Sequence, residues 1–215
     1  MMYQRWGDNR SYKTAFNAWE AYKAYKRGMT VYCNCPKRNG IYNHILNFPH
    51  EHLSPFDADF GQKEVYNCCI ITDQTESAGL DSRTSNAVRT KEAGYFAGQA
   101  KKAGVEWWYD SLRHKRLDIT VRQFSDWYIH HIRYPPLLKV WYDKDGRYHD
   151  WPPAQYVKLG VIHRDSTGSP KWWTYYRPFL EKLHKLYNTE VQIRPSNQVE
   201  QSLNIPMLHK ALIAP

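Results

Sequence analysis

The chain has 215 residues, of which 42% are hydrophobic and 24% charged, and these proportions exclude a mainly disordered protein. Its 30 lysines and arginines against 21 acidic residues give a net charge of +9. A basic excess of this size favours a polyanionic partner such as RNA, DNA or anionic lipid, or else serves solubility alone.

Aromatic residues are the unusual part of the composition, at 15% of the chain. Tyrosine and tryptophan are enriched where proteins meet partners, so part of this surplus is expected at contacts with other protein subunits and part in the core. No stretch approaches the roughly 20 apolar residues that cross a bilayer. We therefore expect no membrane span, with membrane-surface contact left open.

The first predicted helix covers residues 11–27, with Ser11 as its cap and Gly28 as the residue that ends it. Aromatic and alanine residues recur on one face at spacings of three and four. The opposite face is basic, and Lys23, Lys26 and Arg27 form the first predicted nucleic-acid contact.

Residues 29–80 lack this periodicity, apart from short predicted strands at 31–33 and 65–71. The segment contains the four cysteines, Cys33, Cys35, Cys68 and Cys69. Zinc sites usually use C-x(2–4)-C spacing, which these pairs lack. Free buried thiols are therefore favoured over a structural metal site or disulfides, and no cofactor is expected.

Two further helices are predicted, over 85–103 and from Asp118 or Thr120 to the residue before Pro135. Between them lies the second predicted nucleic-acid contact, Arg113, Lys115 and Arg116. Four tryptophans are candidates for packing on a partner or stacking on bases: Trp107, Trp108, Trp172 and Trp173.

Beyond the double proline, 137–142 and 147–151 read as a hairpin, and 152–153 mark a soft boundary. Residues 1–150 are then a helical and irregular extension. Residues 151–215 are a small βαβ module, with strands at 156–163 and 190–194 around a helix ending at 187. The predicted fold class is α+β or α/β.

Enzyme motifs are sparse. Gly94, Gly98 and Gly104 do not have the spacing of a phosphate-binding glycine loop, so none is predicted. One catalytic alternative is an HNH-type endonuclease, which residues 100–107 and 117–124 loosely resemble. The base and metal ligands would then come from four residues: His130, His131, His163 and Asp165.

Residues 155–195 resemble the thioredoxin-like family shared by certain mitochondrial ribosomal proteins and a small accessory subunit of respiratory complex I. The matching residues are Gly168, Arg177, Phe179, Leu180, Glu181 and Asn188. The resemblance implies a non-catalytic module, because family members generally lack a redox C-x-x-C and this region contains no cysteine.

Together these features lead us to expect a non-catalytic structural subunit of a large mitochondrial assembly, first of all a ribosomal protein on the matrix side. It would contact rRNA phosphates and neighbouring proteins. An accessory subunit of a respiratory complex is the alternative within that class. An HNH-like nuclease and a phage structural protein are the alternatives outside it.

Overall fold

The computed structural model describes residues 1–8, 10–34, 37–38, 41–42, 46–54, 65–75, 80–84, 88–134, 141–142, 148–149 and 154–187. Within these ranges the chain forms four α-helices: α1 (Lys13–Lys26), α2 (Val88–Ala100), α3 (Ile119–Arg122) and α4 (Arg177–Leu183). The longer strands are β1 (Met2–Trp6), β2 (Thr30–Cys33), β6 (Cys68–Thr72), β7 (Glu106–Ser111), β8 (Trp127–Tyr134), β11 (Tyr156–His163) and β12 (Lys171–Tyr176). The two-residue strands are β3 (Lys37–Arg38), β4 (Ile41–Tyr42), β5 (Glu51–His52), β9 (Trp141–Tyr142) and β10 (Tyr148–His149).

Eight strands form one sheet in the order β12-β11-β8-β1-β7-β6-β2-β5. All pairs from β8 to β5 are parallel. The pairs β8–β11 and β11–β12 are antiparallel and extend the sheet on one side. The predicted α/β class is confirmed, and strands from both sides of residue 151 lie in the same sheet.

A hydrophobic core covers each face of the parallel part. On one face, α1 buries Ala15, Phe16 and Ala18 against a set that includes Val31, Ile71, Trp108, Ile129, Leu159 and Leu180. On the other, α2 packs with Met2, Ile70, Trp107, Tyr109 and Leu117. Parallel strands buried on both faces are typical of α/β proteins.

The first two helices are confirmed, and Gly28 ends α1 with a φ of 81°. The third is wrong, because α3 ends at Arg122 and residues 127–134 form β8. Two of the positions that β8 turns toward the α1 core are polar, His131 and Arg133, and both are buried. The alternation that identifies a strand is therefore missing from the hydrophobicity pattern.

The predicted C-terminal βαβ unit is also wrong. Residues 171–176, assigned to a helix, form β12, which pairs antiparallel with β11. The helix begins only at Arg177, with Pro178 in its first turn, where proline is tolerated. The predicted strand 190–194 lies outside the described residues. Two-residue strands at 141–142 and 148–149 pair antiparallel, as the predicted hairpin requires.

Within the described residues no helix has the length and apolarity to span a membrane.

Candidate functional site

The site lies at the carboxyl end of β1, where the chain turns into α1. Ligands of open α/β sheets bind outside the carboxyl ends of the parallel strands, and β1 is a central strand here. The connecting loop has left-handed backbone at three positions, Gly7 (φ 151°), Arg10 (φ 61°) and Tyr12 (φ 66°). Non-glycine residues in this region cost about 1–3 kcal/mol each and cluster at functional sites.

Gly7 is required by close packing as well as by its backbone angle. A Cβ at this position would lie 2.5 Å from the main-chain oxygen of His131 on β8. Any larger side chain would push the loop away from the sheet. The sequence therefore has glycine where the loop leaves β1.

Lys13, the first residue of α1, folds back over the loop. Its Nζ donates to the carbonyl oxygens of Gly7 at 2.8 Å and Asp8 at 2.9 Å. The side chain is buried, with 8% of its surface exposed. Both hydrogen bonds go to neutral carbonyl groups. Within the described part of the chain, the buried Lys13 ammonium group therefore lies over the loop without a hydrogen bond to a carboxylate. An anion is the natural complement of such a charge.

Thr14 links the loop to β6. Its hydroxyl donates to Oδ1 of Asp73 at 2.7 Å, and Asp73 is the residue that follows β6. Asn34, just after β2, fixes Asp73 by donating to its carbonyl oxygen at 2.8 Å and accepting from its N–H at 2.9 Å. A hydroxyl and a carboxylate held together suit Mg²⁺, which keeps water and phosphate oxygens as its other ligands.

A second carboxylate, Asp110, comes from the end of the neighbouring strand β7. It accepts a hydrogen bond from the N–H of Gln74 at 2.6 Å and lies against Asp73. Complete burial, together with the negative charge of Asp73, raises the pKa of Asp110 well above its usual range. Active sites often contain two adjacent carboxyl groups for which ionising both is energetically unfavourable.

Behind the loop, buried Arg5 and His131 fasten it to the sheet. Arg5 Nη1 donates to His131 Nε2 at 3.0 Å, and Nδ1 of His131 is 3.0 Å from the carbonyl oxygen of Ser11. The Arg5 guanidinium also lies 4.8 Å from the Trp108 ring centroid and 3.6 Å from Glu20. Burial and the Arg5 charge hold the pKa of His131 well below its usual value.

In sequence the loop reads Gly7-Asp8-Asn9-Arg10-Ser11-Tyr12-Lys13-Thr14. A phosphate-binding loop has the pattern G-x-x-x-x-G-K-[ST], in which backbone N–H groups surround phosphates and the lysine reaches them. This chain matches it at Gly7, Lys13 and Thr14, with Tyr12 in place of the second glycine. The chain therefore departs from the strict glycine pattern, although Tyr12 adopts the left-handed conformation usually left to glycine.

A signal for this loop was present in the sequence. Gly-x5-Lys-Thr lies between the short segment 1–6 and the apolar face of the first helix, and Asp73 directly follows the buried strand β6. A pattern that requires both glycines does not match this segment, because Tyr12 stands at the second glycine position. Neither feature requires the tertiary structure to be recognised.

The two predicted basic clusters lie at opposite ends of the central strand β7. Lys23 pairs with Glu20 at 2.6 Å, Arg27 pairs with Glu106 at 2.7 Å, and Lys26 Nζ lies 5.4 Å from the Tyr22 ring centroid. The other cluster is an exposed turn at the carboxyl end of β7. There Arg113 and Arg116, with Asp8 of the loop and Leu112, line an open cleft of about 380 Å³. Lys115 is exposed on the same turn.

The tryptophans divide into two classes. Trp107 and Trp108 are core residues, exposed by 0% and 7%, whereas Trp172 and Trp173 are exposed by 49% and 45% on the edge strand β12. Cys33, Cys68 and Cys69 are buried, and Cys35 lies outside the described residues. In the described part of the chain no cluster of His, Cys, Asp and Glu could hold a metal ion by itself.

The residues of the nuclease alternative do not converge on one site. Both ring nitrogens of His131 are hydrogen-bonded, to Arg5 and to the carbonyl oxygen of Ser11, so neither is available to a metal ion. His163 lies 3.8 Å from Asp165 in an exposed pair at the end of β11. His130 stacks on Trp6 on the opposite face of the sheet from His131. The geometry therefore gives no support to a histidine–metal nuclease centre among these residues.

No family model matches the chain. A search of curated proteins also gives no match. The solved structures with a similar fold include the following two. One is the N-terminal domain of zonular occludens toxin from Neisseria meningitidis, with a TM-score of 0.53 and 15% identity, covering 87% of this chain and 98% of the other. The second is the genome packaging NTPase B204 from Sulfolobus turreted icosahedral virus 2 in complex with AMPPCP, with a TM-score of 0.51 and 10% identity, covering 80% and 95%.

These similarities contradict the resemblance to thioredoxin-like ribosomal and respiratory proteins. They also overturn the expected function as a non-catalytic structural subunit, since a neighbour over most of the chain is an NTPase. The physical reason is that residues 156–176 form an antiparallel hairpin added to a larger parallel sheet. The predicted protein partners and matrix-side location stay predictions. The mainly parallel sheet, with β1 at its centre and the loop that leads into α1, therefore shares its fold with these two structures.

Proposed function

We propose that this protein binds a nucleoside triphosphate together with Mg²⁺ at residues 7–14 and hydrolyses its terminal phosphoanhydride bond. The observation that carries the proposal is the buried Lys13 ammonium, held over a left-handed loop by two carbonyl groups. A phosphate chain in the loop would replace these weak neutral partners with charged oxygens.

Four side chains divide the work. Lys13 stabilises negative charge on the phosphates, while Thr14 and Asp73 supply oxygens to the cation. When bound, Mg²⁺ neutralises charge on the phosphate oxygens. Asp110, which lies beside Asp73 at the end of β7, orients a water molecule and takes its proton when its carboxylate is ionised.

The test compares triphosphate binding and phosphate release in wild type, Lys13→Ala and Thr14→Val. We expect Lys13→Ala to weaken binding of AMPPCP with Mg²⁺ by at least about 100-fold, because it removes a desolvated charge from the phosphates. Thr14→Val should lose the Mg²⁺ dependence and phosphate release. Chelation with EDTA should abolish release in wild type.

Lys26→Ala is the matched control, since Lys26 is an exposed lysine at the far end of the same helix. It should leave both readouts unchanged. Failure of wild type to bind any triphosphate would overturn the proposal. Binding without phosphate release would overturn hydrolysis and leave a nucleotide-binding protein.

A further inference from the structure

The antiparallel extension of the sheet, β8, β11 and β12, has two different faces. Ile129, Val157 and Leu159 point into the core that α1 covers. Side chains alternate along a strand, so the residues between them point to the opposite face. We name that second surface the aromatic face; it comprises Trp6, His130, Ile132, Tyr134, Tyr156, Lys158, Gly160, Trp172, Thr174 and Tyr176.

The strand register arranges these residues in three rows. The first row contains Trp6, His130, Gly160 and Trp172. The Trp6 and His130 rings are stacked, with centroids 3.6 Å apart and planes 4° apart. Trp172 lies across Gly160, because a Cβ there would be 2.7 Å from its ring. Glycine at this position therefore leaves room for the indole to lie over the strand.

The third row consists of Tyr134, Tyr156 and Tyr176. The first two rings are stacked at 4.8 Å, and the last two meet edge-on at 6.1 Å. The middle row contains Ile132, Lys158 and Thr174. Here the Lys158 ammonium lies 5.9 Å from the Tyr156 ring centroid.

Much of this surface is open to solvent. Ile132, Tyr134, Trp172 and Tyr176 are exposed by 41%, 47%, 49% and 64%. Over β1 and β7 the same side of the sheet is covered by α2 and the core it forms, whereas these four side chains stay exposed over the extension. A contiguous apolar patch of this kind marks a binding surface.

Charge identifies the partner. Among the described residues of the aromatic face, Lys158 is the charged one and carboxylates are absent. The basic turn 113–116 adjoins one end, since the His114 ring lies 6.1 Å from Trp6 and 5.0 Å from Tyr128. Flat exposed rings beside cations match the two parts of a polynucleotide, unpaired bases and phosphates. A duplex hides its base faces in its own stack, so it offers these rings nothing to stack on.

We propose that the aromatic face binds a single-stranded polynucleotide. Bases stack on Trp172, Tyr134 and Tyr176, and phosphates pass near Lys158 and the basic turn. A sheet face of this size accommodates roughly two or three stacked bases. Stacking uses the faces of the bases and not the sugar, so DNA and RNA single strands bind alike.

Edge strand β12 supplies a matched pair of variants. Trp172 and Trp173 are adjacent and almost equally exposed, at 49% and 45%. They point to opposite faces, because Trp173 pairs with Leu159 of the core side and Trp172 with Gly160. Trp172→Ala and Trp173→Ala therefore remove the same ring from the same strand, and only the first removes it from the aromatic face.

The experiment measures fluorescence anisotropy of labelled oligo-dT and oligo-rU of about 20 nucleotides, a length well above a single site. It uses the full chain without nucleotide, at several salt concentrations. Trp172→Ala and Tyr134→Ala should each weaken binding roughly tenfold, and Trp173→Ala should change it less than about twofold. Lys158→Gln should reduce the slope of log affinity against log salt by about 0.7.

Equal effects of Trp172→Ala and Trp173→Ala would overturn the proposal, as would tighter binding of a duplex than of a single strand. Trp172-dependent binding to phosphatidylserine vesicles, or Trp172-dependent self-association, without oligonucleotide binding would assign the face to another partner and also overturn it. Lys13→Ala should bind the oligonucleotide normally. A negative result for oligonucleotide binding can therefore be distinguished from a negative result for triphosphate binding.

Discussion

His131 in β8 donates a hydrogen bond from Nδ1 to the main-chain oxygen of Ser11, over 3.0 Å. The direction follows from Arg5, whose guanidinium can only donate, so Nε2 of His131 must accept and Nδ1 must carry the proton. The loop of residues 7–14 is therefore tied to the sheet by a neutral imidazole. Protonating that ring would place a second buried positive charge beside Arg5 and close to Lys13.

Stability should therefore fall in mild acid. An unfolded histidine has a pKa of about 6.5, whereas burial and Arg5 lower the pKa of folded His131 well below this. Below about pH 6.5 the unfolded state binds more protons, so the free energy of unfolding decreases, by roughly 1–2 kcal/mol near pH 5. Urea denaturation across this range measures it. His131→Gln should flatten the profile more than His130→Gln, and identical profiles for the two variants would contradict the assignment.

Asp110→Asn should stabilise the protein while removing hydrolysis. The raised pKa of Asp110 means that its charged form is unfavourable in the folded state, so stability is lost as pH rises from about 4 through the folded pKa. Asparagine removes this charge and can still accept the hydrogen bond from Gln74. We expect about 1–2 kcal/mol of added stability near neutral pH, and phosphate release reduced about 100-fold or more.

The control for Asp110 is Asp165→Asn, which changes an exposed carboxylate far from the loop. It should leave phosphate release unchanged and stability within about 0.5 kcal/mol. Undiminished phosphate release in Asp110→Asn would show that another group accepts the proton.

Gly7→Ala and Gly28→Ala should differ sharply although both glycines have positive φ. A Cβ at Gly7 would lie 2.5 Å from the oxygen of His131, whereas a Cβ at Gly28 meets nothing within 4 Å. Gly28→Ala should cost about 1 kcal/mol from backbone strain alone. Gly7→Ala should cost more than about 2 kcal/mol and abolish triphosphate binding. Thermal unfolding with binding titrations checks both, and equal costs would contradict the packing argument.

Tyr12 offers a test of the unusual loop. Its backbone is left-handed, and its ring meets His184 edge-on at 5.2 Å. Tyr12→Gly should remove the backbone strain and retain triphosphate binding within about tenfold, at some cost in packing. Tyr12→Val should lose binding, because a β-branched residue strongly resists positive φ. If valine bound as well as glycine, the left-handed conformation would not matter for the phosphates.

Local patterns predicted the local structure well. The spacing of Tyr12, Ala15, Phe16 and Trp19 indicated α1, which buries its alanines and Phe16 against the sheet. The short strand at 31–33 and the later part of 65–71 correspond to β2 and β6. Buried apolar strands and amphipathic helices are specified by neighbours along the chain, so composition and period are enough.

Tertiary context decided the rest. β12 reads Lys171-Trp172-Trp173-Thr174-Tyr175-Tyr176, with large side chains on both faces, and this density of aromatics fits a helix stripe equally well. Its strand identity comes from pairing with β11. The site was harder still, because Thr14, Asp73 and Asp110 meet only once β1, β6 and β7 are placed side by side. The local indication of the site is the spacing of Gly7, Lys13 and Thr14, and it was missed because Tyr12 occupies the position of the second glycine.

The position of β1 between β7 and β8 has a consequence for how the protein folds. Met2 pairs with Trp107 and Tyr3 with Trp127, so both neighbours of β1 come from more than a hundred residues further along the chain. Closing such long loops precedes any gain from the pairing, which makes folding slow. During synthesis α1 can form early, but β1 and the loop behind it must wait for β7 and β8. The loop of residues 7–14 is therefore among the last parts of the molecule to become native, and the nucleotide proposed to fill it would act on a chain whose sheet is already complete.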